Sequence, residues 1–251
     1  MAELGVAKLP AKPNFANDHK TTKFGGSPKW PKVPPFPSLT KCEKCKSQKT
    51  LILQLYAPVE NWHRQIFVVG CLKANCVNSK NGITAISYAT SSLELEDGDL
   101  SNIDQSLTKP ELKPIEIEAM EEPEEEKRET EIAEKIITSE NTEEYEKPKM
   151  DQFVKFSLKM QLEPKQFFRY HFGTKPLLIK VENLPKFRCK NCGKELLFEF
   201  QLMPYVFRQV EKFQQDDNID INLATVAFFA CGNECVLDDF VELQSYAQKA
   251  D

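Results

Sequence analysis

The chain has 251 residues, of which 41% are hydrophobic and 28% charged, with a formal net charge of −5. This supplies enough apolar material for one large domain or two small ones, and no run approaches the roughly 20 apolar residues of a membrane-spanning helix. The first ten residues lack the long apolar stretch of a secretory signal. We therefore expect a cytosolic or nuclear protein whose thiols stay reduced.

The first half is predicted to consist of an irregular start followed by strands. Residues 1–20 should form a flexible leader. The next segment should run extended, because its prolines exclude a regular helix, while Gly25 and Gly26 suit a turn and Phe24 and Trp30 can anchor it. Short apolar runs then predict strands at Leu51–Tyr56, Gln65–Val69 and Ile83–Tyr88.

An acidic stretch divides the chain. From Glu94 to Lys149 there are 20 acidic and 7 basic residues, a net charge of −13, so the remainder carries +8. Because the stretch contains no Cys, Phe or Trp, it cannot bury enough apolar surface to offset its ordering entropy. We expect residues 93–149 to be a mostly disordered linker, with room for a short helix at Glu131–Ile137, where Ile132 and Ile136 share a face.

The second half is predicted to begin with helices and to continue with strands. Helices are expected at Asp151–Leu162 and at Pro164–Tyr170, the latter with proline in its first turn. The alternation of Phe198 and Phe200 with polar residues is typical of a half-buried strand. The strands predicted here are Leu177–Val181, Glu195–Leu202, Thr225–Ala230 and Phe240–Leu243.

The same features recur in the same order on both sides of the acidic stretch. Each half has a Cys-x-x-Cys motif, an apolar strand that ends at Pro58 or Pro204, a second strand, a second cysteine pair and a third strand. We therefore predict an α+β, mainly β fold of two pseudo-repeated antiparallel β halves, residues 21–92 and 150–248, with a few short helices. Halves this small are expected to need a metal for stability.

Eight cysteines form four pairs, and none is left over. In a reducing compartment they indicate metal binding before disulfides, and four thiolates suit a tetrahedral zinc ion. We predict two structural zinc sites, because four sulfurs leave no open position for a catalytic water. The ligands are Cys42, Cys45, Cys71 and Cys76 in one site, and Cys189, Cys192, Cys231 and Cys235 in the other.

Two alternatives to a protein-binding role follow from the same motifs. A thioredoxin-like redox enzyme would use a single Cys-x-x-Cys at a strand-to-helix junction, a context that is missing here, and no nucleophile–base arrangement is recognisable. An RNA-binding module would use the basic residues around the motifs to hold phosphates, although the same charges also serve solubility and balance thiolates. These residues are Lys41, Lys44, Lys46, Lys49, Lys186, Arg188, Lys190 and Lys194.

Several longer motifs resemble those of the programmed cell death protein 2 family, most closely its 2-like branch. The resemblance covers nearly everything except the leader and the acidic stretch, and the chain lacks the MYND-type zinc finger that some members insert between the halves. The matching motifs are Lys23–Pro31, Gln54–Pro58, His63-Arg64, Phe67-x-x-Gly70-Cys71, Gln166–Tyr170 and Phe198–Pro204.

The resemblance implies a dedicated, non-catalytic chaperone that escorts newly made ribosomal protein two (the universal S-five protein) during assembly of the small ribosomal subunit. It further implies a monomer in the cytoplasm that also enters the nucleus, with pre-40S particles and the nuclear export machinery as further partners, and no membrane. The acidic stretch could attract such a basic client, and a sheet edge could accept an extended segment of it. The candidates for client contact are Phe24, Trp30, Tyr56, Glu121, Glu122, Glu124, Glu125 and Glu126.

Overall fold

A computed structural model describes residues 1–31, 40–59, 62–79, 81–91, 112–123, 151–213, 221–233 and 235–250. Most of the acidic stretch, including the helix predicted at Glu131–Ile137, lies outside these residues. None of the helices within the described ranges is long and apolar enough to cross a membrane.

The described residues are mainly β, as predicted. The first five strands are β1 (Glu3–Ala7), β2 (Lys23–Phe24), β3 (Thr50–Tyr56), β4 (His63–Gly70) and β5 (Ile83–Thr90). The other five are β6 (Ile115–Glu121), β7 (Phe168–Tyr170), β8 (Leu197–Leu202), β9 (Thr225–Ala230) and β10 (Phe240–Gln248). The helices are α1 (Ala74–Val77), α2 (Gln152–Leu162) and α3 (Pro204–Phe213), with a 3-10 turn at Phe15–Asn17.

The strands close into one antiparallel barrel with a pseudo-two-fold axis. Their order is β1-β6-β2-β3-β4-β5-β10-β9-β8-β7, and β7 returns to β1. If each of β1–β5 is replaced in this order by the corresponding strand of β6–β10, and the reverse, the same ring is obtained but read in the opposite direction. The two-fold axis that relates the two halves is therefore perpendicular to the barrel axis. The register of the strands agrees with this symmetry. Lys23 lies opposite Gln54 in the first half, and Arg169 lies opposite Gln201 in the second. Strands β3 and β8 also carry bulges at equivalent positions. The sequence repeat is therefore a structural repeat.

The two halves are not separate sheets, which corrects the expectation of two β halves. Strand β1 lies between β6 and β7, and β6 lies between β1 and β2, so each half inserts its first strand into the other. On the far side β5 pairs with β10. Closure gives every strand of the described residues a neighbouring strand on both sides. Both halves bury their side chains in one shared core, which is larger than either could build alone.

The exchanged strands lie where the sequence predicted disorder. The predicted leader contains β1, whose Leu4 is fully buried and whose Gly5 carbonyl accepts a 2.7 Å hydrogen bond from the Phe167 amide. The predicted linker contains β6, in which Ile115 and Ile117 alternate with glutamates. The acidic composition of the whole stretch concealed this short period-two pattern.

Most local predictions agree with the structure. Helix α2 and all the predicted strands except Leu177–Val181 are present. Residues 177–181 are irregular because buried glutamine side chains replace strand pairing: Gln201 Oε1 accepts from Leu177 N at 2.7 Å and Gln248 Oε1 accepts from Ile179 N at 2.6 Å.

Two local predictions around prolines were wrong or incomplete. In place of the helix predicted at Pro164–Tyr170 there is a turn followed by strand β7, because pairing with β1 and β8 overrides local propensity. Helix α3 was not predicted, although Pro204 fits its first position. Its apolar face, including Val206 and Val210, is buried in the shared core.

Strand direction puts the two cysteine groups at opposite ends of the barrel. Cys45 precedes β3 and Cys71 follows β4, so the first group lies where β3 starts and β4 ends. Cys192 and Cys231 stand in the same relation to β8 and β9. Neighbouring strands of the barrel are antiparallel, and β3 and β8 are five places apart in the ring, so they run in opposite directions. The two cysteine groups therefore lie at opposite ends. We call these the first and second ends of the barrel.

Candidate metal centres and the barrel ends

The first cysteine group is assembled from a turn, a strand end and a short helix. Cys42 and Cys45 lie in the turn before β3, Cys71 follows β4, and Cys76 lies in α1. The turn is closed by a 2.8 Å hydrogen bond from the Lys46 amide to the Cys42 carbonyl. All four Sγ atoms lie within 4.8 Å of one another, and those of Cys45 and Cys71 are 3.6 Å apart.

The second group repeats this construction at the other end. The turn of Cys189 and Cys192 is closed by the Gly193 amide, which donates to the Cys189 carbonyl at 2.9 Å, and Gly193 has the positive φ of 71° that this turn requires. Cys231 Sγ lies 3.6 Å from Cys192 Sγ and 3.5 Å from Cys235 Sγ. The four sulfurs again lie within 4.8 Å of one another.

These distances fit a shared metal ion and not disulfides. A tetrahedron with zinc–sulfur bonds of about 2.3 Å has sulfur–sulfur edges of about 3.8 Å, whereas a disulfide joins its sulfurs at about 2.05 Å. The closest pairs of 3.5–3.6 Å match the tetrahedral edge. Each group therefore suits one tetrahedral ion, and zinc is the ion that four thiolates favour in proteins.

The thiols within each group differ in acidity. Hydrogen bonds from Ser47 lower the pKa of Cys45 to about 6, and the backbone amides of Cys192 and Asn191 lower the pKa of Cys189 to about 7. Burial instead raises the pKa of Cys71. One thiol in each group is thus ready to bind as a thiolate, whereas Cys71 must lose its proton as the metal binds.

The two groups differ in burial and in how their charge is balanced. At the first end Cys42, Cys71 and Cys76 are buried, whereas at the second end Cys192 and Cys235 are exposed. A lysine accompanies the buried group. Lys49 is 0% exposed, its Nζ donates to Thr84 Oγ1 at 2.9 Å, and it interacts electrostatically with Cys42 and Cys71. Water and exposed cations can screen the second group, but the first needs this internal charge.

A buried ion pair joins the halves near the second end. Arg64 of β4 pairs with Glu199 of β8, and these side chains are 7% and 0% exposed. Tyr170 donates a 3.4 Å hydrogen bond to the same carboxylate. Both partners belong to motifs on which the sequence resemblance rests, His63-Arg64 and Phe198–Pro204. The sequence did not predict this pair, because the two residues are distant in the chain and the sequence of a strand does not show which other strand lies near it.

The residues predicted to contact a client have different places in the structure. Phe24 and Trp30 are 0% and 3% exposed and pack inside the protein, so they offer no surface to a partner. Tyr56 is partly exposed and its hydroxyl lies 2.6 Å from His63 Nδ1. The acidic candidates divide into the exposed Glu121, the ion-paired Glu122 and Glu124, Glu125 and Glu126, which lie outside the described residues.

Glu122 is held in an internal network. Its carboxylate accepts two hydrogen bonds from the Arg169 guanidinium and lies 3.5 Å from Lys159 Nζ. Burial raises the pKa of Glu122, but the hydrogen bond and charge of Arg169 outweigh burial and hold the pKa below its usual value. This carboxylate therefore ties β6 to β7 and α2.

Comparison with known protein families finds one match in each half of the chain. The profile of the N-terminal domain of programmed cell death protein 2 matches residues 1–97, and that of its C-terminal domain matches residues 150–249. No solved structure matches.

Curated relatives match over a shorter region. Programmed cell death protein 2 of Rattus norvegicus is 36% identical over 89 residues, which cover 34% of this chain and 25% of the relative. The Mus musculus protein is 37% identical over 89 residues, which again cover 34% of this chain and 25% of the relative. Programmed cell death protein 2-like of Gallus gallus is 31% identical over 114 residues, covering 41% of this chain and 29% of the relative. The matched region thus spans about a quarter of each relative.

Proposed function

Because the chain belongs to the programmed cell death protein 2 family, we propose that it is a dedicated chaperone of a newly made small-subunit ribosomal protein, ribosomal protein two (the universal S-five protein). It acts by binding and not by catalysis. It works in the cytoplasm and travels with its client toward pre-40S particles in the nucleus. The single observation that carries the proposal is the match of both family domains to the strand-forming parts of the chain.

The architecture supports a binding role. A closed barrel with a shared core and a closed four-sulfur group at each end is a rigid scaffold, and four thiolates saturate a tetrahedral ion and leave no position for a substrate.

The charge distribution supports a basic client. The stretch from Glu94 to Lys149 has a net charge of −13, and its strand β6 is fixed in the barrel. The acidic residues are therefore tethered on both sides of β6 to a folded body, where they raise the association rate of a basic partner.

The decisive experiment measures binding of purified ribosomal protein two to the full chain. We expect a one-to-one complex that weakens steeply as salt is raised, because exposed charges are screened within about 10 Å at ~0.1 M salt. A wild-type protein, loaded with metal and folded, that forms no such complex would overturn the proposal.

A second measurement distinguishes an RNA-binding role from the proposed chaperone role. Charge reversal of Lys44, Lys46, Lys186 and Lys190 should not weaken binding of the ribosomal protein, whereas an RNA-binding module would lose phosphate contacts and most of its RNA affinity. Tight RNA binding that disappears in this variant, together with absent protein binding, would favour the RNA-binding function.

A further inference from the structure

The seam between β9 and β10 opens at the second end of the barrel. In the first half the equivalent seam between β4 and β5 continues to Gly70 opposite Ile83. In the second half the pairing stops at Phe229 opposite Gln244, one pair earlier. Residues Phe240–Leu243 pair with β5 on one side, and on the other side no strand of the described residues pairs with them.

A groove of about 450 Å³ lies along this open edge. Its apolar surface includes Leu196, Phe229 and Phe240, and its far wall is the Cys-x-x-Cys turn at Arg188–Asn191. A smaller cavity of about 60 Å³, which Arg64 lines, shares several wall residues with the groove. The gap between the strands is therefore accessible from the outer surface of the barrel and continues toward its interior.

The shape of this opening suits an extended peptide. An unpaired strand edge presents backbone N–H and C=O groups that an added strand can satisfy. The four residues Phe240–Leu243 offer an edge of about 13 Å at ~3.3 Å per residue. Alternate side chains of an added strand would face the apolar surface formed by Leu196 and Phe229, while the others would face solvent.

Charge indicates which kind of peptide fits. The basic Arg188 and Lys190 are matched by the acidic Asp239 and Glu242 among the lining residues. The second cysteine group adds negative charge to this balance, because four thiolates around one divalent ion carry a net charge of about −2. The loaded groove is therefore negative overall, which favours a basic partner.

We propose that this groove binds a basic, extended segment of a partner protein as an added strand on β10. The inference rests on the proposed function in one respect, namely that ribosomal protein two is the natural source of the segment. The pseudo-symmetric first end cannot bind a segment in this way, because its seam is paired as far as Ile83 and the Cys71 amide continues it by donating to the Gly82 carbonyl at 2.9 Å.

A synthetic peptide tests the groove without the natural client. The probe is a peptide of about ten residues in which valine and lysine alternate. We expect it to slow amide hydrogen exchange of Phe240–Leu243 in the zinc-loaded full chain, and we expect N-methylation of alternate residues to weaken binding about tenfold or more by removing the strand hydrogen bonds. Equal affinity of the methylated peptide, or protection confined to other strands, would overturn the proposal.

Charge reversal connects the groove to the proposed client. Asp239→Lys combined with Glu242→Lys should weaken binding of ribosomal protein two about tenfold. The matched control is Glu43→Lys, which changes an exposed acidic residue beside the first cysteine group and should change affinity by less than about twofold. Zinc content and the thermal midpoint verify that both variants fold.

The outcomes separate the groove from the general function. If wild type binds the ribosomal protein and the double variant binds equally well, the groove is not the client site and the proposal fails, while the chaperone function stands. If wild type does not bind the ribosomal protein but the alternating peptide protects Phe240–Leu243, the function fails and the groove stands. Displacement of the peptide by single-stranded polyuridine at this edge would point to RNA as the occupant and overturn the proposal.

Discussion

Buried lysines are the residues whose roles depend most on their surroundings. Lys23 and Lys49 are both fully buried, although lysine is almost never found inside a protein without a partner. Lys23 Nζ donates to the carbonyls of Ala16 and Ser27, while Lys49 lies beside the first cysteine group. Each lysine therefore stabilises a particular loop or charge, which leads to a separate prediction for each.

Replacing Lys49 with methionine should loosen the first metal site only. The change removes the buried positive charge beside Cys42 and Cys71, and loss of an outer partner typically lowers metal affinity by about ten- to a hundredfold. One of two zinc equivalents should therefore be released faster to a colorimetric chelator. Lys194→Met, an exposed change beside the second group, is the control. Release of both equivalents at the wild-type rate in Lys49→Met would contradict the role of this charge.

The pH dependence of stability should reveal Lys23. Burial and the nearby charge of Lys29 lower the pKa of Lys23 from 10.5 to about 8. Between these pH values the unfolded chain holds more protons on this group than the folded protein, so its contribution to the free energy of unfolding rises with pH, and below pH 8 it is constant. The full change is about 3 kcal/mol at ~1.4 kcal/mol per unit.

The measurement is urea unfolding of wild type and Lys23→Met across this pH range. The difference in unfolding free energy, wild type minus variant, should increase toward high pH, because all other titrating groups are common to both proteins. A difference that stays flat between pH 8 and 10.5 would show that Lys23 keeps its ordinary pKa.

At the level of elements, β1 and β6 decide whether the barrel closes. Each is inserted between strands of the other half, and each is short. β1 requires a glycine, because a Cβ at Gly5 would lie 2.1 Å from Phe168 Cε1. Phe168 is 1% exposed and cannot move aside easily in a packed core.

Gly5→Val should therefore destabilise the whole protein. Overpacking against Phe168 is expected to lower the free energy of unfolding by about 3 kcal/mol, as measured by urea unfolding. Gly232→Ala is a suitable control, because its added Cβ comes closest to the end of the Leu197 side chain, at 3.1 Å, and makes only ordinary van der Waals contact with Phe172, at 3.7 Å. This change should alter stability by less than about 0.5 kcal/mol. Equal stability of the two variants would mean that β1 does not belong to the barrel.

For the whole molecule, the Arg64–Glu199 pair joins two halves inside one core. Breaking it from one side, by Arg64→Met or Glu199→Leu, leaves a buried charge without its partner and should cost about 3–5 kcal/mol. The double variant removes both charges and should recover most of that loss. Urea unfolding of all four proteins measures the coupling, and strictly additive losses would contradict a direct pair.

Metal removal should affect both halves at once. Cys45→Ser is expected to reduce the zinc content from two equivalents to one, because metal binding and folding are coupled. Since the strands of the halves interleave, amides of β9 in the other half should also lose protection from hydrogen exchange in this variant. Two independent unfolding transitions, one for each half, would show that the halves fold separately.

Local chemistry made much of this protein predictable from its sequence. The cysteine pairs predict two four-sulfur groups, because ligand spacing within a turn is a local property. The strands at Thr225–Ala230 and Leu197–Leu202 follow from short β-branched, aromatic or alternating runs, and the repeat follows from the order of these signals. None of these conclusions needs knowledge of which strand lies beside which.

Tertiary structure decided the features that depend on distant pairings. Closure of the barrel, the exchange of β1 with β6 and the meeting of Arg64 with Glu199 all depend on which strands become neighbours. So do the burial of Lys49, which the sequence grouped with exposed cations, and the open edge at Phe240–Leu243. Hydrophobic pattern determines which face of a strand is buried, but long-range register determines which side chains meet there and where a strand is left unpaired.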